Sequence, residues 1–257
     1  MRKTVFLLAA LSLLCLLLAA ASADPLTLAD DLSGAVYLPE GSDASNAAYI
    51  YTYSYPQVLG DGETEESINS TYAYVVDYDL QFTVPAVWGE RAMDGSSASA
   101  TTVSYRITAN NDEYFSVLII TDTTINGERN VSVQAQVFSR VTTKAGHIIT
   151  MPFLLGILKG DEDDDWLRER QTERADTVIR ELIWSEIQWR KSQGETFPED
   201  LTEEALEYEL FPEEEFYYDG ETGYVVFFLQ PYMNGEGMAP DEFYTFEFDF
   251  EDILDEM

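Results

Sequence analysis

Residues 114–137 read YFSVLIITDTTINGERNVSVQAQV, and their pattern predicts two β-strands joined by a tight turn. Residues 114–121 are almost continuously apolar, as expected for a strand buried in a sheet. In residues 131–137, valine and alanine alternate with polar residues. Asn126 and Gly127 lie between the two runs, and both tolerate the positive φ that a two-residue turn needs. The segment therefore predicts an antiparallel β-hairpin.

Strand patterns also occur on both sides of this hairpin. In residues 49–55 every second residue is a tyrosine, which predicts a strand with four tyrosines on one face. Pro56 ends that strand, because proline cannot donate to the ladder. The other predicted strands cover residues 103–107, 147–151, 215–218, 224–230 and 243–248.

Helical spacing of apolar residues is found in four segments. One runs from Ile68 to Leu80, with acidic residues near its start, and Pro85 predicts its end. A loop rich in Gly, Ser, Asp and Ala is predicted at residues 90–100. The other predicted helices cover residues 166–191, 202–209 and 251–256, and the first of these is the longest.

The order of these elements favours the α+β class. Hairpin signals dominate and βαβ spacing is absent, so we expect an antiparallel sheet with one long and one or two shorter helices packed on a face. Residues 24–47 are predicted to form a flexible leader with a short strand at 35–38. The folded module then covers residues 48–257, with an N-terminal part at about 48–145 and a C-terminal part at about 146–257.

The first 23 residues have the features of a secretory signal peptide. Arg2 and Lys3 precede an apolar stretch that ends in the cleavage pattern Ala21-Ser22-Ala23. We expect an exported bacterial protein, secreted or associated with the cell envelope, or one held by an N-terminal membrane anchor if the signal is not cleaved. No membrane span is expected after cleavage. Removal of the signal also removes the only cysteine, so no disulfide or thiolate metal site is expected.

The charge of the chain is strongly negative. The full chain has 48 acidic and 14 basic residues, and without residues 1–23 the net charge is −36. The last 66 residues contain 21 Asp and Glu but no Lys or Arg. Such a field attracts cationic partners and repels nucleic acid. An acidic surface that serves only solubility remains the alternative interpretation.

No catalytic motif stands out. His147 is the only histidine, and its position favours an exposed strand residue. Paired carboxylates could hydrolyse glycosides, but 48 acidic residues make close pairs unavoidable, so their presence is uninformative. The aromatic residues at 49–55 and 243–250 could present a binding face, although strand packing accounts for most of them. We expect no enzyme activity, cofactor or metal.

The acidic run at residues 161–165 has two interpretations. It lacks the D-x-[DN]-x-[DN]-G order of an EF-hand calcium loop. Because it directly precedes the longest predicted helix, it is better explained by carboxylates that cap the helix N-terminus. Weak calcium binding stays open.

With these segments located, the chain resembles the PdaC/RsiV-like extracellular module of Gram-positive bacteria, a domain family of unknown function. The resemblance covers about residues 48–257 and keeps the order and spacing of several motifs. They are Tyr53-Ser54-Tyr55-Pro56-Gln57 with Ile68-Asn69, Tyr114-Phe115-Ser116-Val117, the segment from Gly146 to Met151, Phe216-Tyr217-Tyr218, Gly223-Tyr224-Val225-Val226-Phe227-Phe228, Pro231-Tyr232 and Phe243-Tyr244-Thr245-Phe246.

The resemblance implies an α+β module without catalytic activity. In that family the module forms the external part of an anti-sigma factor that binds lysozyme, and it accompanies a peptidoglycan deacetylase domain. This chain has no sigma-binding segment and no deacetylase domain, so neither activity is expected. Residues 233–241 differ from the family's loop after the Pro-Tyr position, and no binding residue is carried over.

Charge, export signal and resemblance together predict a non-catalytic binding protein that recognises a cationic protein such as lysozyme, or cell-wall material. The alternative is a cell-wall hydrolase with an unrecognised Asp/Glu pair. Two acidic segments are the candidate partner-binding residues: Asp161, Glu162, Asp163, Asp164, Asp165, Glu213, Glu214 and Glu215.

Overall fold

The predicted hairpin is part of a five-stranded sheet. The computed structural model describes residues 24–94, 99–141, 144–156, 165–234 and 242–257. In this sheet the strands follow the order of the chain: β1 (Leu32–Leu38), β2 (Tyr49–Tyr55), β3 (Ser99–Asn110), β4 (Tyr114–Ile125) and β5 (Glu128–Ser139). Asn126 and Gly127 have φ values of 53° and 93°, as the predicted tight turn requires.

A second, antiparallel sheet contains three short strands. They are β6 (Phe216–Tyr218), β7 (Val225–Phe228) and β8 (Thr245–Phe248). The helices are α1 (Glu63–Tyr78), α2 (Val84–Asp94), α3 (Met151–Leu154), α4 (Asp165–Ser192), α5 (Glu203–Glu209) and α6 (Phe250–Glu256). A π-helical turn (Asp79–Thr83) joins α1 to α2, and a 3-10 turn (Pro231–Asn234) follows β7.

Three apolar clusters hold the two sheets and the helices together. One face of the first sheet packs on α1, with the buried side chains of Ile68 and Phe115 in one cluster. Its other face meets the second sheet, where Leu118 clusters with Phe228. Ile179 of α4 clusters with Phe227 on the outer face of the second sheet. The result is a helix–sheet–sheet–helix arrangement, which confirms the α+β class.

The expectation of a purely antiparallel sheet is wrong for one pair of strands. β2 and β3 are parallel, and α1, the π-helical turn and α2 form the crossover between them. The predicted end at Pro85 is also wrong, since α2 continues to Asp94. Pro85 is the second residue of α2, directly after the π-helical turn, and has no N–H to continue the regular hydrogen-bond ladder of the helix. The N–H of Val84 instead bonds to the carbonyl of Asp79, five residues back.

The segment predicted to be a flexible leader contains an ordered strand. All seven residues of β1 pair with β2. Before β1, the side chain of Asn110 bonds to both the N–H and the carbonyl of Leu26, at 2.7 and 2.9 Å. The prediction therefore underestimates this strand. Ser33, Gly34 and Ala35 have weak strand propensity, and the pairing with β2 supplies what the local pattern lacks.

Other boundaries are closer to the predictions. The long helix α4 is confirmed, and α5 begins where Thr202 accepts a hydrogen bond from the N–H of Ala205. The strand predicted at residues 147–151 is reduced to a single bridge between Phe138 and Ile148, because α3 begins at Met151. His147 is exposed. The predicted signal peptide, residues 1–23, lies outside the described residues.

Within the described ranges, no helix is both long and apolar enough to cross a bilayer.

A glycine fixes the contact between α1 and the loop after β5. Gly146 has a φ of 77°, and a Cβ at this position would lie 2.8 Å from the carbonyl oxygen of Glu63 and from Cβ of Ser67. The hydroxyl of Ser67 donates to the carbonyl of Gly146 at 2.5 Å. The loop and the first turn of α1 therefore touch through backbone.

We expect Gly146→Ala to destabilise the protein by roughly 2–3 kcal/mol, because positive φ and a steric clash add together. Gly41→Ala is the matched control, since Gly41 also has positive φ but a Cβ added there would meet no atom within 4 Å. It should cost only about 1 kcal/mol. Urea unfolding measures both variants, and equal losses would contradict the proposed clash.

Candidate functional site

The part of the chain without basic residues contains a strongly acidic helix. In α5, Leu206 is buried and Leu210 follows as a second buried anchor. This orientation turns the remaining side chains of the helix outward. The exposed ones are Glu203, Glu204, Glu207, Tyr208 and Glu209.

The loop after α5 extends this acidic surface. Phe211, Glu213 and Glu214 are exposed. The backbone turns tightly, because the N–H groups of Glu214 and Glu215 bond to the carbonyl of Phe211 at 2.9 and 2.8 Å. The hydroxyl of Tyr232 donates to the carbonyl of Glu209 at 3.5 Å and brings the 3-10 turn to the same side.

We call this surface the acidic–aromatic patch. Its members are the carboxylates of Glu203, Glu204, Glu207, Glu209, Glu213 and Glu214 and the rings of Tyr208, Phe211 and Tyr232. The three aromatic residues are 68%, 48% and 61% exposed. The patch therefore combines apolar contact area with negative charge.

The patch contains two of the predicted partner-binding residues. Glu213 and Glu214 are exposed, but Glu215 is only 5% exposed and cannot contribute to an exposed acidic rim. The carboxylate of Glu215 points inward, where it accepts the N–H of Phe211 at 2.8 Å. The prediction of Glu215 as a partner-binding residue is therefore wrong, and the local turn is the reason.

The second predicted segment lies mostly beyond the part of the chain that the structure describes. Asp161, Glu162, Asp163 and Asp164 lie outside the described residues. Asp165 is the first residue of α4. Helix capping and calcium binding both stay open for this segment.

A groove of about 190 Å³ lies between α4 and α5, next to the patch. Its charged lining residues are Arg180, Glu181, Glu203 and Glu207. The guanidinium of Arg180 donates twice to the carbonyl of Leu210, at 3.1 and 2.9 Å, so this cation is committed to the fold. The three carboxylates give the groove a negative balance.

A half-buried and a buried carboxylate, Asp176 and Glu215, lie behind the patch. Burial raises the pKa of Asp176 from 3.8 to about 6, although the charge of Arg180 at 3.9 Å opposes the change. Burial also raises the pKa of Glu215 from 4.5 to about 7, against the N–H of Phe211 and the side chain of Gln230. Both environments favour the neutral acid.

Several basic side chains elsewhere are engaged in contacts within the fold. Arg129 forms a two-fold hydrogen bond with Asp122, at 3.0 Å each. Arg190 bonds to Glu186 at 2.7 Å and lies 5.1 Å from the ring centre of Phe246. Other cation–ring contacts join Arg106 to Phe243, and Lys191 to Trp184 and Phe197. The negative field of the patch is therefore weakly opposed.

The tyrosines of β2 do share a face, as predicted, and they belong mainly to the core. Tyr49, Tyr51 and Tyr55 are at most 3% exposed. The hydroxyl of Tyr49 donates to Thr101 at 2.9 Å, and that of Tyr51 donates to Asp79 at 2.7 Å. Core packing thus explains these residues, and it also explains the fully buried Phe246 near the C-terminus.

Sequence reasoning missed an exposed row of aromatic residues on α1 and the π-helical turn. Tyr74, Tyr78 and Phe82 are 70%, 49% and 58% exposed, and successive ring centres are 6.4 and 5.0 Å apart. Their spacing of four residues, on the side of the helix away from Tyr72, was visible in the sequence.

Among the residues that the structure describes, no group of three or more His, Cys, Asp or Glu side chains is arranged to hold a metal ion.

The raised pKa of Glu215 predicts that lowering the pH stabilises the fold. The folded state holds its proton up to a pH of about 7 and the unfolded chain only up to about 4.5, so stability falls as the pH rises between these values. In Glu215→Gln, which mimics the neutral acid, the free energy of unfolding at pH 8 should rise by on the order of 2 kcal/mol. It should change little at pH 4.

Urea unfolding across this pH range measures the effect. Glu214→Gln is the matched control, because it removes the same charge from an exposed neighbour. A pH dependence that is the same in both variants would show that Glu215 is not the titrating group.

Comparisons with known proteins give a fold but no function. No family model matches the chain, and no curated protein matches it. Among solved structures, a member of the DUF3298 family from Bacteroides fragilis is 13% identical, with a TM-score of 0.53 over 90% of this chain and 94% of that one. A DUF3298 family protein from Pseudomonas aeruginosa is 10% identical, with a TM-score of 0.37 over 63% and 69% of the two chains.

At 13% identity, the similarity to the Bacteroides fragilis protein shows a shared fold only. The TM-score of 0.37 for the Pseudomonas aeruginosa protein is too low to show a shared fold. The chain shares the overall fold of a DUF3298 family protein, which is the fold family to which the PdaC/RsiV-like resemblance points.

Proposed function

We propose that this protein is an exported, non-catalytic binding protein of the bacterial cell envelope that recognises a cationic protein, with a basic lysozyme as the first candidate. The acidic–aromatic patch is the observation that carries the proposal. It combines six exposed carboxylates with three exposed rings, in a region of the chain without Lys or Arg.

The rings and the carboxylates of the patch would contribute differently to binding. Exposed aromatic side chains bury the most water-accessible surface when a complex forms, and such aromatic anchors dominate the binding energy. Charges around them mainly raise the association rate and select partners of opposite sign. Tyr208, with Glu204 and Glu207 beside it on the same helix, has this combination.

The groove between α4 and α5 suits a single cationic side chain. Glu181, Glu203 and Glu207 line it together with Leu206. A lysine or arginine of the partner could place its aliphatic stem on the leucine and its charge among the carboxylates. The groove thus adds a specific contact to the general attraction.

Export supports the same proposal. The features of residues 1–23 predict that the folded protein meets extracellular molecules. Basic host proteins that attack cell walls belong to that environment, and a net charge of −36 without the signal complements them.

The charge of the patch should control the association rate. We expect Glu207→Gln, Glu213→Gln and Glu214→Gln, combined in one variant of residues 24–257, to slow association with a basic lysozyme by about 10-fold at low salt. The difference should shrink at 1 M salt, where the Debye length falls to ~3 Å. Surface plasmon resonance measures both conditions.

The control variant combines Asp252→Asn, Asp255→Asn and Glu256→Gln, which removes the same charge from exposed positions on α6. A second cationic protein of similar charge tests selectivity. If both variants slow association equally, or if both cationic proteins bind equally and lose binding in salt, the attraction is non-specific and the patch is not a docking site.

The aromatic anchor should control dissociation. We expect Tyr208→Ala to raise the dissociation rate at least 10-fold while association changes little, because the ring contributes after encounter. Tyr74→Ala is the matched control, since Tyr74 is similarly exposed on α1. A larger effect of Tyr74→Ala would move the docking surface to the aromatic row of that helix.

The alternatives are outcomes of one further assay with purified peptidoglycan. Binding without release of fragments, together with no affinity for lysozyme, would replace the protein partner by cell-wall material. Release of reducing ends would contradict the non-catalytic proposal. Loss of that release in Asp176→Asn or Glu215→Gln would then assign it to the two carboxylates of raised pKa.

A further inference from the structure

A small polar cavity lies between α1 and the first sheet, apart from the acidic–aromatic patch. Its volume is about 170 Å³. Tyr72 and Asp79 line it from the helix side, and Tyr55, Gln134 and Gln136 line it from the strands. Such a cavity beneath a helix is normally filled by apolar side chains, so its polar lining requires an explanation.

Two buried polar atoms of this lining have no hydrogen-bond partner within the described parts of the chain. They are the hydroxyl oxygen of Tyr72 and Oε1 of Gln136. Tyr72 is fully buried and Gln136 is only 8% exposed. Leaving a buried polar group unpaired costs about 1–3 kcal/mol, and native proteins rarely accept this cost without a reason. A ligand that bonds to both atoms would remove this cost, once the neighbouring groups that cover the two atoms move aside.

The size of the cavity limits the ligand. A protein cavity of about 150 Å³ holds one benzene molecule. Pockets for drug-sized ligands begin at about 300 Å³. The 170 Å³ found here therefore holds no more than one six-membered ring, and the substituents of a sugar would have to extend through the mouth of the cavity.

The charges around the cavity disfavour an anionic ligand. Among the described residues that line it, Asp79 is the only carboxylate, and none is Lys, Arg or His. This carboxylate and the net charge of −34 oppose an anion. One carboxylate oxygen of Asp79 already accepts the hydroxyls of Tyr51 and Tyr55, at 2.7 and 3.5 Å, which leaves less to offer a cation.

The lining also suits a ring with a mixed surface. The rings of Tyr55 and Tyr72 are stacked at 5.3 Å and present an aromatic wall. Burial raises the pKa of Tyr72, so its hydroxyl stays neutral and can either donate or accept. Gln136 offers its Oε1 as an acceptor. A hydroxyl group of the ligand is the simplest partner for both this oxygen and the hydroxyl of Tyr72.

The π-helical turn determines the shape of this site. Asp79 is the first residue of the turn, and its carbonyl accepts the widened bond from Val84. Single π-helical turns within α-helices occur frequently at functional sites. Here the turn holds the carboxylate of Asp79 beside the tyrosines of β2.

The mouth of the cavity continues into a larger groove. Thr121 and Ser132 line both the cavity and an open groove of about 850 Å³. Thr123 and Asn130 continue the groove along β4 and β5 with further hydroxyl and amide groups. A molecule held in the cavity could therefore extend along the strands.

We propose that this cavity binds one ring of a neutral, hydroxyl-rich ligand, the terminal sugar of a short glycan, with the adjoining groove taking the next units. Tyr72 and Gln136 hydrogen-bond the ring and Tyr55 packs against it. The cavity shares no residue with the acidic–aromatic patch, although Tyr232 of the patch also lines the groove. Sugar binding and protein docking are therefore measured with separate probes.

Calorimetric titration of residues 24–257 tests the proposal with defined probes. They are glucose, N-acetylglucosamine and its linear trimer, with acetate as an anion and spermidine as a cation. We expect at least one of the sugars to bind, and the trimer to bind about 10-fold more tightly than the single ring. Binding of acetate or spermidine but of no sugar would overturn the neutral assignment, and no binding at all would show a cavity that holds only water.

Variants separate a binding role from a structural one. Tyr72→Phe removes only the unpaired hydroxyl, so sugar affinity should fall about 10-fold while the thermal midpoint stays equal or rises. Tyr49→Phe is the matched control, because Tyr49 is buried outside the cavity and its hydroxyl is paired with Thr101. It should lower the midpoint and leave affinity unchanged. Sugar binding that survives Tyr72→Phe intact would place the ligand elsewhere.

Discussion

Burial of β4 on both faces is the constraint on which the rest of this structure depends. Phe115, Val117 and Ile119 face α1, whereas Leu118 and Ile120 face the second sheet. A strand in this position cannot alternate apolar with polar residues, and its continuous apolar run follows directly. Without the second sheet, one face of the hairpin would be exposed to water. Without α1, the opposite face of the hairpin would be exposed to water.

This constraint also explains where polar groups can collect. The apolar contacts of β4 end at Thr121, beyond which its side chains are only partly buried. The neighbouring strand β5 supplies Ser132, Gln134 and Gln136 on the helix side, next to the π-helical turn. The polar cavity therefore forms where the covering helix changes its pitch and the apolar part of the sheet ends.

Local patterns predicted the elements whose structure is decided locally. The Asn126-Gly127 turn needs only positive φ, and α4 has a long apolar stripe, so both were found in the sequence. The parallel β2–β3 pair was missed because proline and a Gly- and Ser-rich segment suggested a break in the crossover. β1 was largely missed because its stability comes from pairing with β2, which no local pattern records.

The candidate sites show the same limit for side chains. Glu213, Glu214 and Glu215 are identical in sequence terms, yet a turn at Phe211 exposes two of them and buries the third. Acidic composition could predict the sign of a partner, whereas the places of contact depend on tertiary packing.

The distribution of charge shows how so acidic a chain can maintain a fold. Self-repulsion destabilises a compact state when net charge is large. In this protein several cations pair with carboxylates, carbonyls or rings at packed positions, as Arg180, Arg190 and Arg106 do. Burial raises the pKa of Glu215 to about 7, so this acid is only partly ionised at neutral pH and adds less to the repulsion. Carboxylates that stay exposed are screened by water and salt, and a cationic partner can reach them.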